Sequence, residues 1–520
     1  MVGLTDSLRI AVGGLKLAQD SLATTSNNVA NVHTEGYTRK RVEQEARVVG
    51  GRGAGVREVE ISRDVDQFLE RQLRIQQSKL GRSQTIDAYA QDVQGLVFGN
   101  PSEDATGLGS VVDNLARKLE AAAAKPEDGA RRSAVVWAAQ DVFNELSGAA
   151  DQVQILRRDA DQRIAALVGE VNTTLQSIDD LNTDIVRSPE DAELMDQRDR
   201  LVKELSYKLD ITTYTQDDDR IAIFNEHGQA LLEYEPRMLD YAPTASMGRD
   251  TKFDAIRVHG ENEDATAGQV MVGGGLRASG SSDDIEPTVT GGELGGLLEV
   301  RDRVLPELDD QLREFGTVLR HQLDAAHNGA NVAGATTPQL VSTRDRGALT
   351  TPGPSSFDGT AYIEAVDGGG NHHVFAIDVG AANSIDDLAN NITTNHADLS
   401  ADAGSAPGDR FTIDVPPGWS ITGVANAAAD GSDPAVITQS DGHGHGLDYG
   451  FSHFFGFNNF VDPGATDPTG LQVRADLVAD PQKVASAKLD VTPGPPTEST
   501  VGGVGDSRGL GDLAAALDRP

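Results

Sequence analysis

The sequence predicts a mainly α-helical, elongated, multidomain protein built around a long coiled-coil-like helical bundle. Two stretches, residues 4–29 and 142–185, carry apolar residues at alternating steps of four and three, the spacing of a coiled-coil seam. The apolar period changes to two over residues 210–241, which predicts a β-hairpin region. Residues 330–480 are rich in Gly, Pro, Asp, Ser and Thr. The bundle is therefore expected to carry an inserted α+β or β-rich domain.

The composition disfavours several classes of protein. The 520-residue chain has 81 acidic and 44 basic residues and a formal charge of -37. Because phosphate binding requires clustered Lys and Arg, no nucleic-acid partner is expected. No apolar run approaches the roughly 18 residues of a membrane span, and the N-terminus lacks the apolar core of a cleaved signal. The absence of cysteine excludes disulfides and thiolate chemistry.

The first helix is predicted to present a seam that needs a partner helix. Its seam positions are Leu4, Leu8, Ala11, Leu15, Ala18, Leu22, Thr25 and Val29. An ordinary amphipathic helix is the alternative, because heptads over four turns are common in helical bundles. Amides and then a glycine end the helix, which suits side-chain hydrogen bonding and a left-handed turn.

A thirteen-residue pattern is complete in residues 27–39, which read Asn-Asn-Val-Ala-Asn-Val-His-Thr-Glu-Gly-Tyr-Thr-Arg. They resemble the N-terminal signature N-N-x-A-N-x-x-T-x-G-Y-x-R of the bacterial flagellar axial proteins, the rod, hook and hook-associated subunits. The resemblance implies that the first helix and the signature form an assembly interface. The residues expected in it are Leu4, Leu8, Leu15, Leu22, Val29, Asn28, Asn31, Gly36, Tyr37 and Arg39.

A strand and a second helix are predicted next. The glycine-rich residues 50–55 are interpreted as a flexible or turn-rich joint. Residues 56–61 alternate with period two, as a half-buried strand does, and a helical region begins at Arg63. Residues 55–74 resemble the segment that follows the signature in hook-associated proteins.

The longest predicted element is the helix through residues 142–185. Gly107-Leu108-Gly109 opens the helix before it, and residues 125–128 separate the two. One four-four slip, from Ala160 to Ile164, is a stutter that locally unwinds a supercoil. Ser188-Pro189 ends the helix.

Residues 194–206 resemble another segment of hook-associated proteins. The carboxylates of Asp196 and Asp199 flank Arg198, an arrangement that could suggest acid–base chemistry. Surface ion pairs are the favoured interpretation, since Asp196 and Arg200 lie one helical turn apart and no nucleophile or histidine accompanies them.

Strand signals surround residues 225–228, with a further strand at 255–258. Gly273-Gly274-Gly275 is not interpreted as a phosphate loop, because no Gly-Lys-Ser/Thr follows.

A long helix is predicted to begin at residues 291–302, which read Gly-Gly-Glu-Leu-Gly-Gly-Leu-Leu-Glu-Val-Arg-Asp. These residues resemble a hallmark of hook-associated proteins. These proteins usually end the helix with Asn-x-x-His, whereas Asp324 precedes His327 here. We interpret His327 as a partner of the C-terminal helix dipole.

The inserted domain is predicted to contain strands at 361–366, 373–379 and 410–415 and a helix at 384–392. A metal site is the less favoured interpretation of its histidines His443, His445 and His453: two imidazoles at i, i+2 with a third nearby can bind zinc, but they lie in a glycine loop. Aromatic residues are expected to cover the end of the domain. They are Phe454, Phe455, Phe457 and Phe460.

Residues 494–517 read as a linker followed by the start of a helix. Proteins of this kind normally continue into a C-terminal heptad helix that pairs with the N-terminal one, and the sequence ends before such a segment. The first helix is therefore expected to be poorly ordered in the isolated chain and to fold on joining neighbouring subunits.

Six segments are expected. They are 1–50, the axial-tube helix and signature; 51–209, the helical bundle body; 210–290, a β-rich hairpin region; 291–329, the return helix of the bundle; 330–480, the inserted β-rich domain; and 481–520, a return to the bundle.

The resemblance implies an extracellular structural subunit that joins the flagellar hook to the filament, leaves the cell through the flagellar export apparatus and is not an enzyme. The implied partners are identical subunits in an axial ring, the hook protein, a second junction protein with the filament, and an export chaperone. No cofactor and no membrane insertion are expected. One alternative is a hook or distal-rod subunit, which shares the signature but lacks the long helices of residues 130–206. The other is a metal-dependent enzyme displayed on the flagellum.

Overall fold

The computed structural model describes residues 3–49, 52–95, 99, 107–189, 191–260, 269–272, 289–429, 431–440, 446–491 and 500–517. These residues form helices and several small antiparallel sheets. The mainly α-helical, multidomain class is therefore confirmed. The chain divides into two compact units, residues 1–93 with 153–308 and residues 94–152 with 309–520. The six-segment division stays a prediction.

The first unit begins with a helix, a two-stranded hairpin and a second helix. These are α1 (Gly3–Ala30), β1 (Lys40–Val49), β2 (Arg52–Arg63) and α2 (Gln67–Val93). The strands are antiparallel, with Lys40 opposite Arg63. The interpretation of residues 50–55 as a joint is wrong for 52–55, which lie in β2. The second helix starts later than Arg63 because Asp66 caps it, accepting hydrogen bonds from the backbone N–H groups of Phe68 and Leu69 at 2.9 and 3.1 Å.

Three helices follow, α3 (Leu108–Ala123), α4 (Gly129–Arg187) and α5 (Ala192–Lys208). The helix predicted through residues 142–185 is confirmed, because α4 runs without a break for 59 residues. Its predicted seam is buried, with Val142, Leu146, Leu167 and Val171 all at 0% exposure. Asp191 caps α5 by accepting from the N–H groups of the first helical turn.

Two small sheets of the first unit pack on α4 and α5. The first contains β3 (Ile211–Thr215), β4 (Ile221–Asn225) and β5 (Ala230–Leu232); the second contains β6 (Met238–Asp240), β7 (Ile256–His259) and β8 (Gln269–Val272). The predicted hairpin is the β4–β5 pair, to which β3 adds a strand. The glycine run at 273–275 lies outside the described residues.

The predicted long helix from residue 291 is interrupted. It consists of α6 (Gly292–Glu299), a π-helical turn (Val300–Val304) and α7 (Leu305–Asn328). The wider turn accompanies two consecutive charged residues that both face inward. Arg301 donates to Asp161 at 2.9 Å and to Asp302 at 2.8 Å, and both Arg301 and Asp302 are buried. A helix with uniform i, i+4 bonding points successive side chains about 100° apart, so uniform periodicity misses this turn.

The β-rich part of the second unit contains three three-stranded antiparallel sheets. Their strands run in the orders β12-β11-β15, β13-β14-β9 and β10-β16-β17. The elements are β9 (Gln339–Asp345), α8 (Arg346–Thr350), β10 (Pro354–Asp358), β11 (Thr360–Val366), β12 (His372–Asp378), α9 (Ile385–Asn395), β13 (Ser400–Asp402), β14 (Arg410–Asp414), β15 (Ser420–Ala425), β16 (Val436–Ser440), β17 (Gly446–Gly450) and α10 (Phe451–Phe455). The three predicted strands and the predicted helix correspond to β11, β12, β14 and α9.

Aromatic side chains fill the core of this region. Phe411 stacks on Phe455 with ring centroids 4.1 Å apart, and Phe454 is fully buried. The remaining elements of the unit are α11 (Ala475–Ala479), a 3-10 turn (Pro481–Lys483), β18 (Leu489–Asp490), β19 (Thr500–Val501) and α12 (Arg508–Leu517), which packs on α3.

The interpretation of His327 as a dipole partner is wrong. Its imidazole is fully buried, and Nε2 accepts from the N–H of Ala485 at 2.9 Å while Nδ1 lies 2.7 Å from the carbonyl oxygen of Asn458. Burial lowers the pKa of His327 to about 4, so the ring is neutral at pH 7 and carries no charge for a dipole to attract.

Among the described residues, no helix combines the length and apolar character that a bilayer crossing requires.

Candidate assembly interface

The predicted seam of α1 lies on the exposed side of the helix. We call Leu8, Leu15, Leu22 and Val29 the heptad stripe; their side chains are 66, 61, 69 and 70% exposed. Leu4 continues the stripe in sequence, but its side chain lies outside the described residues. The structure therefore brings four of the five predicted apolar residues into one row.

The opposite face of α1 packs on the β1–β2 hairpin. Leu17 and Thr24 on that face are only 8 and 9% exposed. The backbone at Gly13 lies beside the carbonyl oxygen of Val56 on β2, and a Cβ there would make an ordinary contact with this oxygen at 3.5 Å. The helix is thus held by one face and presents the other.

Asn28 fixes the end of α1 to the start of β1. Its Nδ2 donates to the carbonyl oxygen of Lys40 at 2.8 Å, and its Oδ1 accepts from the N–H of Lys40 at 2.9 Å. The same Oδ1 accepts from the hydroxyl of Tyr37 at 3.1 Å. One amide thereby satisfies both backbone groups of Lys40, and so Asn28 and Tyr37 form a clamp across the turn.

The other signature residues shape the turn itself. Asn31 donates to the carbonyl oxygen of Asn27 at 3.0 Å and accepts from the hydroxyl of Thr34 at 3.2 Å. Gly36 has φ +76°, in the left-handed region that favours glycine, and a Cβ there would collide with the side chain of Arg200. The left-handed turn predicted at Gly36 is confirmed.

Arg39 completes the signature on the surface. Its side chain is exposed, and its carbonyl oxygen accepts from the N–H of Asp64 at 2.9 Å. The backbone of Arg39 therefore joins the start of β1 to the residue after β2, while its guanidinium lies at the surface.

The interpretation of Asp196 as a surface ion-pairing residue is wrong. Its side chain on α5 is only 1% exposed. It accepts from Arg63 Nη1 at 3.0 Å, lies 3.4 Å from Lys40 Nζ, and accepts from the hydroxyl of Thr38. Asp196 is therefore the buried carboxylate through which α5 holds the signature and the end of β2.

The carboxylates around Lys40 and Arg63, including that of Asp196, stabilise the charged forms of these two side chains. Burial opposes the charge of Lys40, but its hydrogen bond to Glu193 and the nearby carboxylates raise the pKa of Lys40 above its ordinary value. Burial also opposes the charge of Arg63, and the carboxylates of Asp199 and Asp196 outweigh it and raise the pKa of Arg63. Both cations thus stay charged at pH 7 beside the buried carboxylate.

An exposed ion pair adds a further contact. Lys203 Nζ lies 2.7 Å from Glu35 Oε1, and this hydrogen bond lowers the pKa of Glu35. Because Glu35 is fully solvated, the pair contributes little to stability.

Sequence reasoning missed Thr38, Lys40, Arg63 and Asp196 as site residues. A signal for two of them was present, since Arg63 and Asp196 both lie in segments that resemble hook-associated proteins. No local sequence pattern indicated that the segments containing Arg63 and Asp196 lie in contact in the fold.

The described part of the metal site proposed from the sequence is a packed aromatic contact. His453 is 8% exposed, and its ring centroid lies 4.7 Å from that of His321 and 5.0 Å from that of Tyr449. Burial lowers the pKa of His453 to about 3. His443 and His445 lie outside the described residues. Within the described chain, no group of three or more His, Cys, Asp or Glu residues is placed to hold a metal ion.

Two family models match the chain. Residues 100–340 match the helical domain of the flagellar hook-associated protein FlgK. Residues 8–38, which contain most of α1 and the signature, match the flagella basal body rod protein family.

Curated relatives are similar over part of the chain. A flagellar hook-associated protein 1 of Bacillus subtilis is 26% identical over 282 residues, 51% of this chain and 55% of that protein. The protein of that name from Salmonella typhimurium is 24% identical over 331 residues, 61% of this chain and 55% of its own length. The matches thus span little more than half the length of these relatives.

A solved structure, the flagellar hook junction protein FlgK from Burkholderia pseudomallei, aligns with a TM-score of 0.43 and 17% identity, covering 80% of this chain and 66% of that one.

Proposed function

We propose that this chain, which belongs to the flagellar hook-associated protein 1 family, is a structural subunit that joins the flagellar hook to the filament. The observation that carries the proposal is the heptad stripe, a row of large apolar side chains exposed along a helix whose other face is fixed. Its partners would be identical subunits in an axial ring, the hook protein, and a second junction protein with the filament. It would act outside the cell after export by the flagellar apparatus with a chaperone.

The stripe favours helix packing between subunits. Burying a Leu or Val side chain contributes about 1.5–3 kcal/mol, and the four residues recur every seven positions, as knobs of a coiled-coil seam do. In an isolated chain this surface faces water. Association therefore has a driving force that is located on α1.

The clamp and the buried carboxylate supply the rigidity that such packing needs. Asn28 fixes the end of α1 to Lys40, and Asp196 fixes Thr38 and Arg63 to α5. Residues held by several hydrogen bonds lose less entropy on association. These contacts therefore fix the orientation of the heptad stripe relative to the rest of the first unit.

The helices of residues 100–340 favour a hook-associated protein over a hook or distal-rod subunit, which would share only the N-terminal signature. No geometry in the described chain favours the enzyme alternative.

Leu15→Asp tests the proposal, with Ala23→Asp as the matched control. Both sites are exposed on α1 and both changes add one negative charge, but only Leu15 belongs to the stripe. Burying an unpaired charge costs several kcal/mol, so cells whose only copy carries Leu15→Asp should lack filaments, while Ala23→Asp cells should keep them. Electron microscopy of the cells gives the readout. Normal filaments with Leu15→Asp would show that the stripe is not an assembly surface.

A further inference from the structure

A second exposed apolar surface lies on the first half of α2. Phe68, Leu69, Leu73 and Ile75 are 71, 55, 41 and 38% exposed. The later part of the helix is different, because Ser78 and Gly81 are buried where α2 packs on α5 and α6. The described chain therefore packs on one side of the later half of α2, where Leu80 is still 45% exposed, and leaves four large apolar side chains of the first half in solvent.

Two arginines share this surface. Phe68, Arg71 and Ile75 are spaced i, i+3 and i+7, so they lie on one face of the helix, and Arg74 follows one turn after Arg71. Within the part of the chain that the structure describes, neither guanidinium has an ion pair or a hydrogen bond. This is unusual in a chain with 81 acidic residues and a charge of -37. Burial lowers the pKa of Arg74, and the nearby carboxylates of Glu70 and Asp199 offset this only in part, so a further carboxylate would be a favourable neighbour.

Arg71 and Arg74 also line a cleft of about 680 Å³ in the first unit. Tyr214 and Arg198 line the same cleft. Arg198 is 5% exposed, and its Nε has no hydrogen-bond partner. The volume is that of a site for a few side chains. The α2 residues that line it include one carboxylate, Glu70, beside the two guanidiniums of Arg71 and Arg74.

A loop between β5 and β6 has the complementary character. Glu233, Tyr234 and Glu235 are all exposed, Tyr234 at 71%. The loop is closed by a bridge between Leu232 and Pro236. An aromatic ring between two carboxylates is thus held on a short, fixed loop, which limits the entropy that docking would cost.

We propose that the Glu233–Glu235 loop of one copy docks on the Phe68–Ile75 surface of a second copy, with Tyr234 against Phe68 and the two carboxylates on Arg71 and Arg74. Opposite charges and the exposed aromatic rings favour this occupant, because aromatic and arginine residues dominate the stable centres of interfaces. A contact between two different surfaces of identical chains repeats from copy to copy and builds a ring or a helix. The inference rests on the proposed function and adds a lateral contact to it.

Cross-linking tests the contact, and the cysteine-free chain makes each introduced thiol unique. Full-length chains carrying Gln72→Cys, Glu233→Cys or both are assembled on cells and treated with a short bismaleimide. The double variant should give a ladder of covalent oligomers, whereas each single variant gives dimers at most. Gln72→Cys with Trp137→Cys is the control, because Trp137 is 63% exposed but belongs to the second unit. A control ladder equal to that of the test pair would overturn the proposal.

Charge reversal distinguishes this contact from mere proximity. In the double-cysteine background, Arg71→Glu with Arg74→Glu should reduce the ladder by about tenfold, because like charges then face each other. Because Glu233→Cys already removes one of the two carboxylates, Glu235 supplies the remaining one in this background, and adding Glu235→Arg should restore at least half of the lost yield. Assembled chains without a ladder, or without rescue, contradict the docking contact alone. Double-cysteine chains without the charge reversal that never enter the flagellum contradict the proposed function on which it rests.

Discussion

The helices α1 and α4 carry the same apolar period and have opposite surroundings. In α4 the seam residues lie in the cores of the units, with Ile164 and Leu167 at 0% exposure. In α1 the corresponding row is the heptad stripe, 61% exposed at its least exposed member, Leu15. Periodicity alone thus identifies a face that can be buried without identifying what buries it.

The contrast between the two helices distinguishes residues that stabilise the fold from residues that are exposed for contact with another chain. Residues of the α4 seam hold the isolated chain together, whereas residues of the α1 stripe are available to another chain. The same substitution should therefore have different consequences in the two helices.

The largest expected effect is that of Leu167→Asp. It places an unpaired charge in the core of the first unit, at a cost of at least about 4 kcal/mol, so the unit should lose cooperative unfolding. Leu15→Asp, the same change on the stripe, should alter the unfolding free energy of the isolated chain by about 0.5 kcal/mol or less. Denaturant unfolding followed by circular dichroism measures both. Equal destabilisation would mean that α1 and α4 do not differ as proposed.

Asp196→Ala tests what fixes α1 to the unit. Removing a buried carboxylate leaves Lys40 and Arg63 partly uncompensated, and such losses cost about 3–5 kcal/mol. Glu193→Ala is the control, since Glu193 pairs with the same Lys40 but is 59% exposed, and its loss should cost under about 1 kcal/mol. Urea unfolding of both variants provides the measurement. Similar values for the two would indicate that Asp196 is not the anchor.

Asn28→Ala should have a smaller and local effect. It removes the amide that satisfies both backbone groups of Lys40, and the expected cost is about 1–3 kcal/mol. Amide hydrogen exchange should accelerate at Lys40 and through the end of α1, with residues 160–178 of α4 unchanged. Asn31→Ala, which loses only contacts within the same turn, serves for comparison. Faster exchange throughout α4 would contradict a local clamp.

The smallest effect on the isolated chain is expected from Leu22→Ala. Its side chain is 69% exposed, so the free energy of unfolding should change by about 0.5 kcal/mol or less. Assembly should nevertheless weaken, because burial of a leucine contributes about 1.5–3 kcal/mol. Unfolding midpoints check the predicted stability of the isolated chain, and filament counts per cell check the predicted loss of assembly. A stable variant that assembles as well as the parent would remove Leu22 from the interface.

The signature illustrates how far sequence reasoning reaches into the site. Gly36 was predictable because a left-handed turn favours glycine locally. The helix-ending role of Asn28 was also local, but its partner was not, since Lys40 lies twelve residues away across a turn. Asp196 was misinterpreted because its partner Thr38 is 158 residues distant, and helical spacing reports only neighbours within a turn or two.

The sequence by itself determined the mainly helical class, the faces of α1 and α4, and the uninterrupted length of α4, because each follows from spacings of three and four residues along one helix. The tertiary structure decided which face of α1 is packed and which is exposed, which carboxylate is buried, and which histidine is neutral. It also produced the π-helical turn at Val300–Val304, where Arg301 and Asp302 both reach inward. Burial and ion pairing depend on segments far apart in the chain, so no local pattern encodes them.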